Sequence, residues 1–357
     1  MKILLATGGP TIPQMIGGSQ RSGDTLLKRL AERGHDVALT SALIGNGLIG
    51  WRARLLMKLT GRRAVTDNNQ GYPIYRSWFP HETAAEVAKH FRPDVVIVQA
   101  HKTGLVAQAF HRLNLPILFS FQDVEFNEHG FDIGGLGPLQ GVANSQFTAA
   151  AYREKFRADC SVIHPLIDPG QYLVEETGGN VVFINPSRVK GLDIALEVAA
   201  LLPDIPFIFQ EAWPLTPEER ASLNKRIENL DNITLRPTTQ DMRDVYREAR
   251  ILLCPSQWNE GYGRIASEAQ FSGIPVVGSD RGGLPEAIGD GGVVISHEAH
   301  ASVWADQIRE LWTNKEKYKS LRESALTYSR REALSLDRQI DAWECAIEKA
   351  HRNHFTA

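Results

Sequence analysis

What most constrains this chain is a rhythm: a short apolar run, a turn, then an amphipathic stretch, repeated along its length. The first series of apolar runs is Ile3–Ala6, Val37–Thr40, Val95–Val98, Ile117–Phe121 and Val142–Ala143. Helix-like stretches such as Asp24–Arg33, Ala84–Phe91 and Leu105–Leu113 lie between them. Runs so short and uniformly apolar read as strands buried on both faces, and their alternation with helices predicts a parallel sheet covered on both sides. The rhythm restarts after residue 180. Strands are expected at Val181–Asn185, Phe207–Gln210, Ile233–Leu235, Ile251–Cys254, Pro275–Gly278 and Val293–Ile295, and helices at Leu192–Leu201, Pro217–Leu230, Asp241–Ala249 and Arg264–Ser272. Thr216 before Pro217 suits a helix cap followed by a first helical position. The expected fold is α/β, with two doubly wound parallel-sheet domains.

Length agrees, since 357 residues correspond to two domains at roughly 100–200 residues each. Two prolines and a glycine interrupt the pattern between His164 and Gly170, so the first domain is expected over 1–165 and the second over 166–334. Leu336, Ile340, Trp343 and Ile347 recur at helical spacing, which predicts a final helix in 335–357 packing back towards the first domain. Ligands of open α/β sheets bind outside the carboxyl ends of the strands. Two such sheets facing each other imply an interdomain cleft.

A net charge of −3 gives no bulk electrostatic grip on nucleic acid. The charge is uneven, however: residues 1–100 carry 13 Lys and Arg against 7 Asp and Glu. Three widely spaced cysteines, Cys160, Cys254 and Cys345, form no CxxC and suit a reducing cytoplasm. No apolar run approaches the roughly 18 residues that span a bilayer, and the opening Met1–Gly9 reads as a buried strand rather than a signal peptide.

The strongest motif lies at 255–286. A buried strand ends near Cys254, and the loop Gly261-Tyr262-Gly263 then opens a helix, an arrangement that turns free backbone N–H groups towards a phosphate. Glu260 lies in the loop, and Glu268 sits eight positions on, more than one turn into the helix. Carboxylates so placed can accept bonds from the vicinal hydroxyls of two different sugars. Gly-Ile-Pro-Val-Val (273–277) and Gly-Gly-Leu-Pro-Glu (282–286) follow.

This string resembles the glutamate–seven-residues–glutamate motif of the retaining glycosyltransferases of family 4, the group 1 enzymes of GT-B fold. The resemblance spans nearly the whole chain and is specific mainly in its second half. It implies two Rossmann-like domains facing a cleft, with Glu260 beside the donor sugar and Glu268 on the ribose hydroxyls of a nucleotide sugar. The expected reaction moves a sugar from that donor to a saccharide or lipid-linked acceptor with retention at the anomeric carbon. The leaving phosphate would help deprotonate the acceptor, and the protein would supply positioning and charge stabilisation. The nucleotide sugar is a co-substrate and no cofactor is expected. The chain has no Asp-x-Asp, so a chelated metal is not implied. His297-Glu-Ala-His300 lacks the zinc spacing His-Glu-x-x-His and reads as a surface loop.

Three further pieces fit the resemblance. In Asn185-Pro-Ser187-Arg188-Val-Lys190-Gly191, Lys190 and Arg188 are expected to neutralise a diphosphate leaving group, with Ser187 beside the donor. The family usually has an arginine where this chain has Asn185, so Arg188 or Arg264 is expected to supply the missing cation. Arg188 also reads as an exposed charge at a helix start. Gly17-Gly18, after the first strand, resembles a double glycine that lets the backbone approach the donor phosphate or acceptor. At the fourth strand end the family often has His-Asp; this chain has Gln122-Asp123. Gln122 cannot move a proton, whereas Asp123 is expected to bond a sugar and is grouped with Glu260 and Lys190 as catalytic. His101, at the end of Val95–Gln99, is a second acceptor-side candidate or a polar residue closing a strand.

The alternatives keep the fold and change the chemistry: a nucleotide-sugar epimerase, a phosphorylase, or a degenerate member that binds sugar without catalysis. The phosphorylase would need a cofactor lysine context that is absent. Asn185 and Gln122 favour the degenerate reading, and the joint presence of Lys190, Glu260 and Glu268 opposes it. Residues 43–63 combine apolar residues with five basic ones. They read either as an ordinary amphipathic helix or as a peripheral contact with anionic lipid at the inner face of the membrane.

Overall fold

The computed structural model describes residues 1–356. The chain divides into two units, one formed by residues 1–167 together with those from 333 onward, the other by 168–332.

The first unit holds eight strands: β1 (Lys2–Pro10), β2 (Asp36–Ala42), β3 (Ala64–Asp67), β4 (Ile74–Ser77), β5 (Val95–Gln99), β6 (Ile117–Phe121), β7 (Gln140–Ala143) and β8 (Asp159–Val162). They form one sheet in the order β3-β4-β2-β1-β5-β6-β7-β8, parallel except for β3 against β4. Its helices are α1 (Gly18–Glu32), α2 (Gly47–Thr60), α3 (Ala84–Phe91), α4 (Thr103–His111) and α5 (Gln146–Phe156). Alternate residues of β1 serve opposite faces. Leu4 and Ala6 join a core with Phe110, Phe121 and Tyr152, while Ile3 and Leu5 join another with Leu26, Leu30 and Trp343.

The second unit holds β9 (Asn180–Ile184), β10 (Phe207–Gln210), β11 (Ile233–Arg236), β12 (Ala249–Cys254), β13 (Val276–Ser279) and β14 (Gly292–Ile295). Their order, β11-β10-β9-β12-β13-β14, is parallel throughout. This is the doubly wound order 3-2-1-4-5-6, which reverses direction between its first and fourth strands, here β9 and β12. The helices are α6 (Leu192–Leu201), α7 (Pro217–Ile227), α8 (Arg243–Tyr246), α9 (Arg264–Gln270), α10 (Leu284–Ile288), α11 (Ala301–Thr313) and α12 (Lys315–Ser329). Thr216 and Glu219 form a full capping box on α7. The last helix, α13 (Leu336–Thr356), belongs to the first unit, where Ile340, Trp343 and Ile347 complete the core under α1.

Several boundaries differ from expectation. The helix expected over Asp241–Ala249 shrinks to α8, because Ala249 already opens β12. Helix α1 starts at Gly18, six residues before Asp24, with Gly17 extended as its N-cap and no side-chain cap to mark it. The hairpin β3–β4 and helices α11 and α12 were not expected. In α11, Trp304, Ala305, Ile308 and Leu311 are buried at helical spacing.

Candidate functional site

In the second unit the site forms at the reversal between β9 and β12. The turn after β9 begins with Asn185, which is buried in the left-handed region at φ 64°. Asparagine tolerates that conformation better than most non-glycine residues. Its N–H donates to the Gln210 carbonyl (2.7 Å), and its carbonyl accepts from the Ser187 N–H (2.7 Å). A short 3₁₀ turn over Arg188–Lys190 follows, ending at Gly191 with φ 86°. A Cβ at Gly191 would run into the Pro255 carbonyl. The turn after β9 is therefore pressed against the end of β12, and the N–H groups of Gln257 and Trp258 both donate to the Val189 carbonyl (2.9 and 3.1 Å).

That contact brings Lys190 onto Glu260. The ammonium donates to Glu260 Oε1 at 2.6 Å, and Ser256 Oγ donates to the same oxygen at 2.8 Å. Both charged side chains are largely but not fully covered. The loop of Glu260 is fixed from behind as well: the Gly283 N–H donates to the Glu260 carbonyl (2.7 Å), and Gly282 packs on the Glu260 backbone. Gly263 is the left-handed N-cap of α9, and its Cα faces Leu284 of α10. Tyr262 is buried, with its hydroxyl paired to Ser267 Oγ (2.9 Å) and accepting from Arg331 (2.6 Å). Burial raises that phenol to about 12, despite the opposing charge of Arg331. It is held neutral and acts as structure.

Glu268 lies in a buried network one step deeper. Arg264 Nε donates to Oε1 (2.6 Å) and the Tyr246 hydroxyl donates to Oε2 (2.8 Å). Arg264 also donates to the Tyr172 hydroxyl (3.1 Å). Burial works against the charge of Arg264, but Glu268 and the hydrogen bonds outweigh it, so its pKa is raised. Burial first, and Glu268 second, hold the Tyr246 hydroxyl well above the ordinary phenol range. Each carboxylate oxygen of Glu268 is thus held by one donor and keeps further acceptor capacity.

Of the two arginines expected to replace the cation missing at Asn185, Arg264 is engaged with Glu268 and Tyr172. Arg188 is 87% exposed and stands 3.7 Å from Asp193. Arg281, which the sequence reading passed over, follows β13 immediately before the glycines that grip Glu260; its Nε is buried and has no hydrogen-bond partner among the described residues. The Ser187 hydroxyl is buried and unpartnered in the same sense. Ser256, Tyr246 and Tyr172 were also missed, since only the folded chain brings them to Glu260 and the Glu268–Arg264 pair. His297 donates its backbone N–H to Asp280 Oδ1 (2.9 Å), and its ring Nδ1 meets the same oxygen (2.8 Å).

In the first unit the same reversal falls between β1 and β5. The Gly8 N–H donates to the His101 carbonyl (2.9 Å), and a Cβ at Gly8 would strike it. His101 is flanked by Ala100 and Lys102, both non-glycine residues in the left-handed region, at φ 57° and 55°. Such strain gathers at functional loops. His101 Nδ1 lies 3.3 Å from Glu128. After β6, Gln122 donates to Ser120 Oγ (2.8 Å) and accepts from Asn144 at its carbonyl (2.7 Å), while Asp123 accepts from the Glu125 N–H (3.0 Å). Burial, then the charges of Asp123 and Glu128, raise the Glu125 carboxyl above its ordinary value. Gly18 is exposed at the first position of α1. His101, Gln122 and Asp123 thus share one end of this sheet, as Lys190 and Glu260 share one end of the other.

A family model described as Glycosyltransferase Family 4 matches residues 16–171, and one described as Glycosyl transferases group 1 matches residues 181–327. A D-inositol 3-phosphate glycosyltransferase of Mycolicibacterium gilvum is 36% identical over 155 residues, 41% of this chain and 33% of its own length. Spore coat protein SA of Bacillus subtilis is 31% identical over 164 residues, 42% of each chain. The chain thus spans well under two thirds of these curated relatives. Among solved structures, a glycosyltransferase from Rickettsia africae superposes with a TM-score of 0.75 at 16% identity, covering 98% of this chain and 99% of that one. Anabaena HepE in complex with UDP and glucose superposes at 0.74 and 18%, covering 97% and 100%. At those identities the likeness shows the fold, which is that of GT-B glycosyltransferases.

Proposed function

We propose that this chain, which belongs to the group 1 glycosyltransferases of family 4, transfers a glycosyl residue from a nucleotide sugar to a saccharide or lipid-linked acceptor, with retention at the anomeric carbon and without a metal. The observation that carries the reading is the Lys190–Glu260 pair at the β9/β12 reversal, the place where open α/β sheets bind their ligands.

In this reading the donor diphosphate lies at the start of α9, met by the backbone N–H groups of Gly261–Gly263, by Ser187 and by the Lys190 ammonium. As the glycosidic bond breaks, negative charge collects on the diphosphate, and Lys190 stabilises it. Glu260 then lies beside the departing sugar and holds Lys190 in place. Glu268, with one donor on each oxygen, accepts from the ribose hydroxyls, while Arg264 holds it in orientation. Arg188, with its side chain 87% exposed, is a lesser contributor to the diphosphate. His101 and Gln122 form the acceptor side with the catalytic Asp123 beside them, and Gly18 keeps the donor-binding role that the resemblance implies. Gln122 has no titratable proton, which fits a scheme in which the leaving phosphate takes the acceptor's proton.

Structural neighbours bound to UDP and to UDP-glucose support a nucleotide sugar as donor class. The experiment is incubation with a panel of nucleotide sugars and measurement of nucleotide release and sugar product. Transfer releases nucleotide and yields a glycosylated acceptor of unchanged anomeric configuration. An isomerised sugar would mark an epimerase, and binding without turnover a degenerate member.

We also place the protein in the cytoplasm at the inner face of the membrane, with residues 43–63 towards lipid. No helix among the described residues is long and apolar enough to cross a membrane. Support for the contact is the outer face of α2, where Leu48 is 88% exposed, Leu59 72% and Trp51 60%. Flotation with anionic liposomes at low salt is the test; wild-type protein that stays at the bottom of the gradient defeats it.

A further inference from the structure

A cavity of about 330 Å³ opens beneath α2 in the first unit. Ile49, Ala53 and Leu56 of α2 and Val65 of β3 give it an apolar wall, and the exposed residues Leu48 and Arg52 stand at its rim. The helix is pressed onto the preceding loop at Gly50, where a Cβ would strike the backbone of Ile44 and Gly45. Beyond that point its inner side offers the small Ala53, and space remains between helix and hairpin. Apolar surface left open in this way marks a place that something apolar fills.

Two more observations say what fills it. Leu48, Trp51, Leu55 and Leu59 are all exposed and recur at helical spacing, so the helix carries an apolar stripe outside as well as a cavity inside. Residues 37–66 contain no Asp or Glu. Arg63 pairs with Glu82, but Arg52, Arg54, Lys58 and Arg62 have no ion-pair partner among the described residues. The other cation lining the cavity, Arg76, is buried and committed to Asp67 and to the Ile12 carbonyl. Arg52 is therefore the lining cation open to an incoming anion. An apolar recess with an unpaired cation at its mouth, on a helix that is apolar and basic outside, suits one anionic amphiphile better than a soluble sugar phosphate, for which the apolar wall has no use.

We propose that this cavity receives the hydrocarbon chain of a lipid phosphate, with Arg52 on the phosphate and the outer stripe of α2 in the bilayer that supplies it. Resting on the glycosyl-transfer reading, this makes the acceptor lipid-borne. The phosphate neutralises Arg52 while the chain covers Ile49, Leu56 and Val65, so both parts of the ligand are needed for affinity.

The test is calorimetric binding of farnesyl phosphate, below its micelle concentration, to the full chain, beside inorganic phosphate and farnesol. The proposal expects farnesyl phosphate to bind at least about tenfold more tightly than either fragment. It expects Leu56→Trp, which fills the recess, and Arg52→Glu, an exposed change that leaves the core intact, each to weaken it by about tenfold or more. Unchanged farnesyl phosphate affinity in a folded Arg52→Glu protein, or binding of inorganic phosphate as tight as that of the lipid, overturns it. Nucleotide release by wild type is measured in parallel. A chain that binds the lipid and turns over no nucleotide sugar defeats the transfer reading alone; one that turns over donor and ignores the lipid defeats the cavity alone.

Discussion

The Lys190 ammonium and the Glu260 carboxylate meet at 2.6 Å although 70 residues of sequence separate them. The meeting is forced by backbone. Gly191 sits against the Pro255 carbonyl and Val189 accepts from two N–H groups of the following loop, so the two strand ends cannot part without losing both contacts. Removing the cation should therefore cost transition-state charge stabilisation more than fold. Lys190→Ala and Glu260→Ala are expected to lower turnover by roughly 10²-fold or more, the scale of losing one preorganised electrostatic contact. Steady-state kinetics with melting curves as control check this; wild-type turnover in either variant refutes the roles.

Glu268 should behave differently. Glu268→Ala removes the proposed ribose acceptor and takes the carboxylate from the largely covered Arg264 guanidinium. Breaking a buried pair from one side costs about 3–5 kcal/mol of stability. Glu268→Gln keeps the shape and should weaken nucleotide binding with a smaller effect on turnover. Tyr246→Phe removes one hydrogen bond to Glu268 and should cost about 1 kcal/mol. Urea denaturation and nucleotide titration of the three variants separate these outcomes.

Gly191→Ala tests the backbone argument. Its left-handed φ of 86° and the Pro255 carbonyl both exclude a Cβ. The substitution should destabilise the second unit by about 1–3 kcal/mol and depress nucleotide affinity with it. An unchanged denaturation midpoint would show that the two strand ends are not held as described.

The first unit carries a pH dependence of its own. His129 is buried against Tyr152, whose hydroxyl lies 3.0 Å from Nε2. Burial holds its pKa below the ordinary 6.5, with Asp123 opposing and Lys155 assisting. Below about pH 6.5 the unfolded chain takes up a proton that the folded chain resists, so the unfolded state binds more protons and stability falls as pH drops through that window. His129→Phe should flatten this part of the stability profile between about pH 7.5 and about pH 5.5. A parallel profile in wild type and variant would refute the assignment.

The sequence made some of this legible and concealed the rest for physical reasons. Short strands show themselves because both faces are buried, and Lys190, Glu260 and Glu268 stand out because chemistry places them at fixed steps from a strand end. Tyr172 meets Arg264 across 92 residues, and Tyr246 meets Glu268 across 22, so no local pattern could announce them. Asn185 stands where the resemblance leads one to expect an arginine; in the structure it takes a left-handed backbone that asparagine tolerates. The expected start of α1 at Asp24 failed because glycines open that helix without a side-chain cap. Arg264 was one of two candidates for the missing cation; the structure pairs it with Glu268 one turn on, an i,i+4 spacing visible once the helix is drawn.

If the second unit holds a nucleoside diphosphate at the β9/β12 reversal through Lys190, nucleotide binding must depend on that cation. Titration of wild-type and Lys190→Gln protein with UDP, GDP, ADP and TDP, followed by melting, tests it most directly. A ligand at 100 times its dissociation constant adds about 2.7 kcal/mol of stability. At least one nucleotide should raise the wild-type melting temperature, and Lys190→Gln should largely abolish the rise. No shift with any of the four, or an equal shift in the variant, would contradict it.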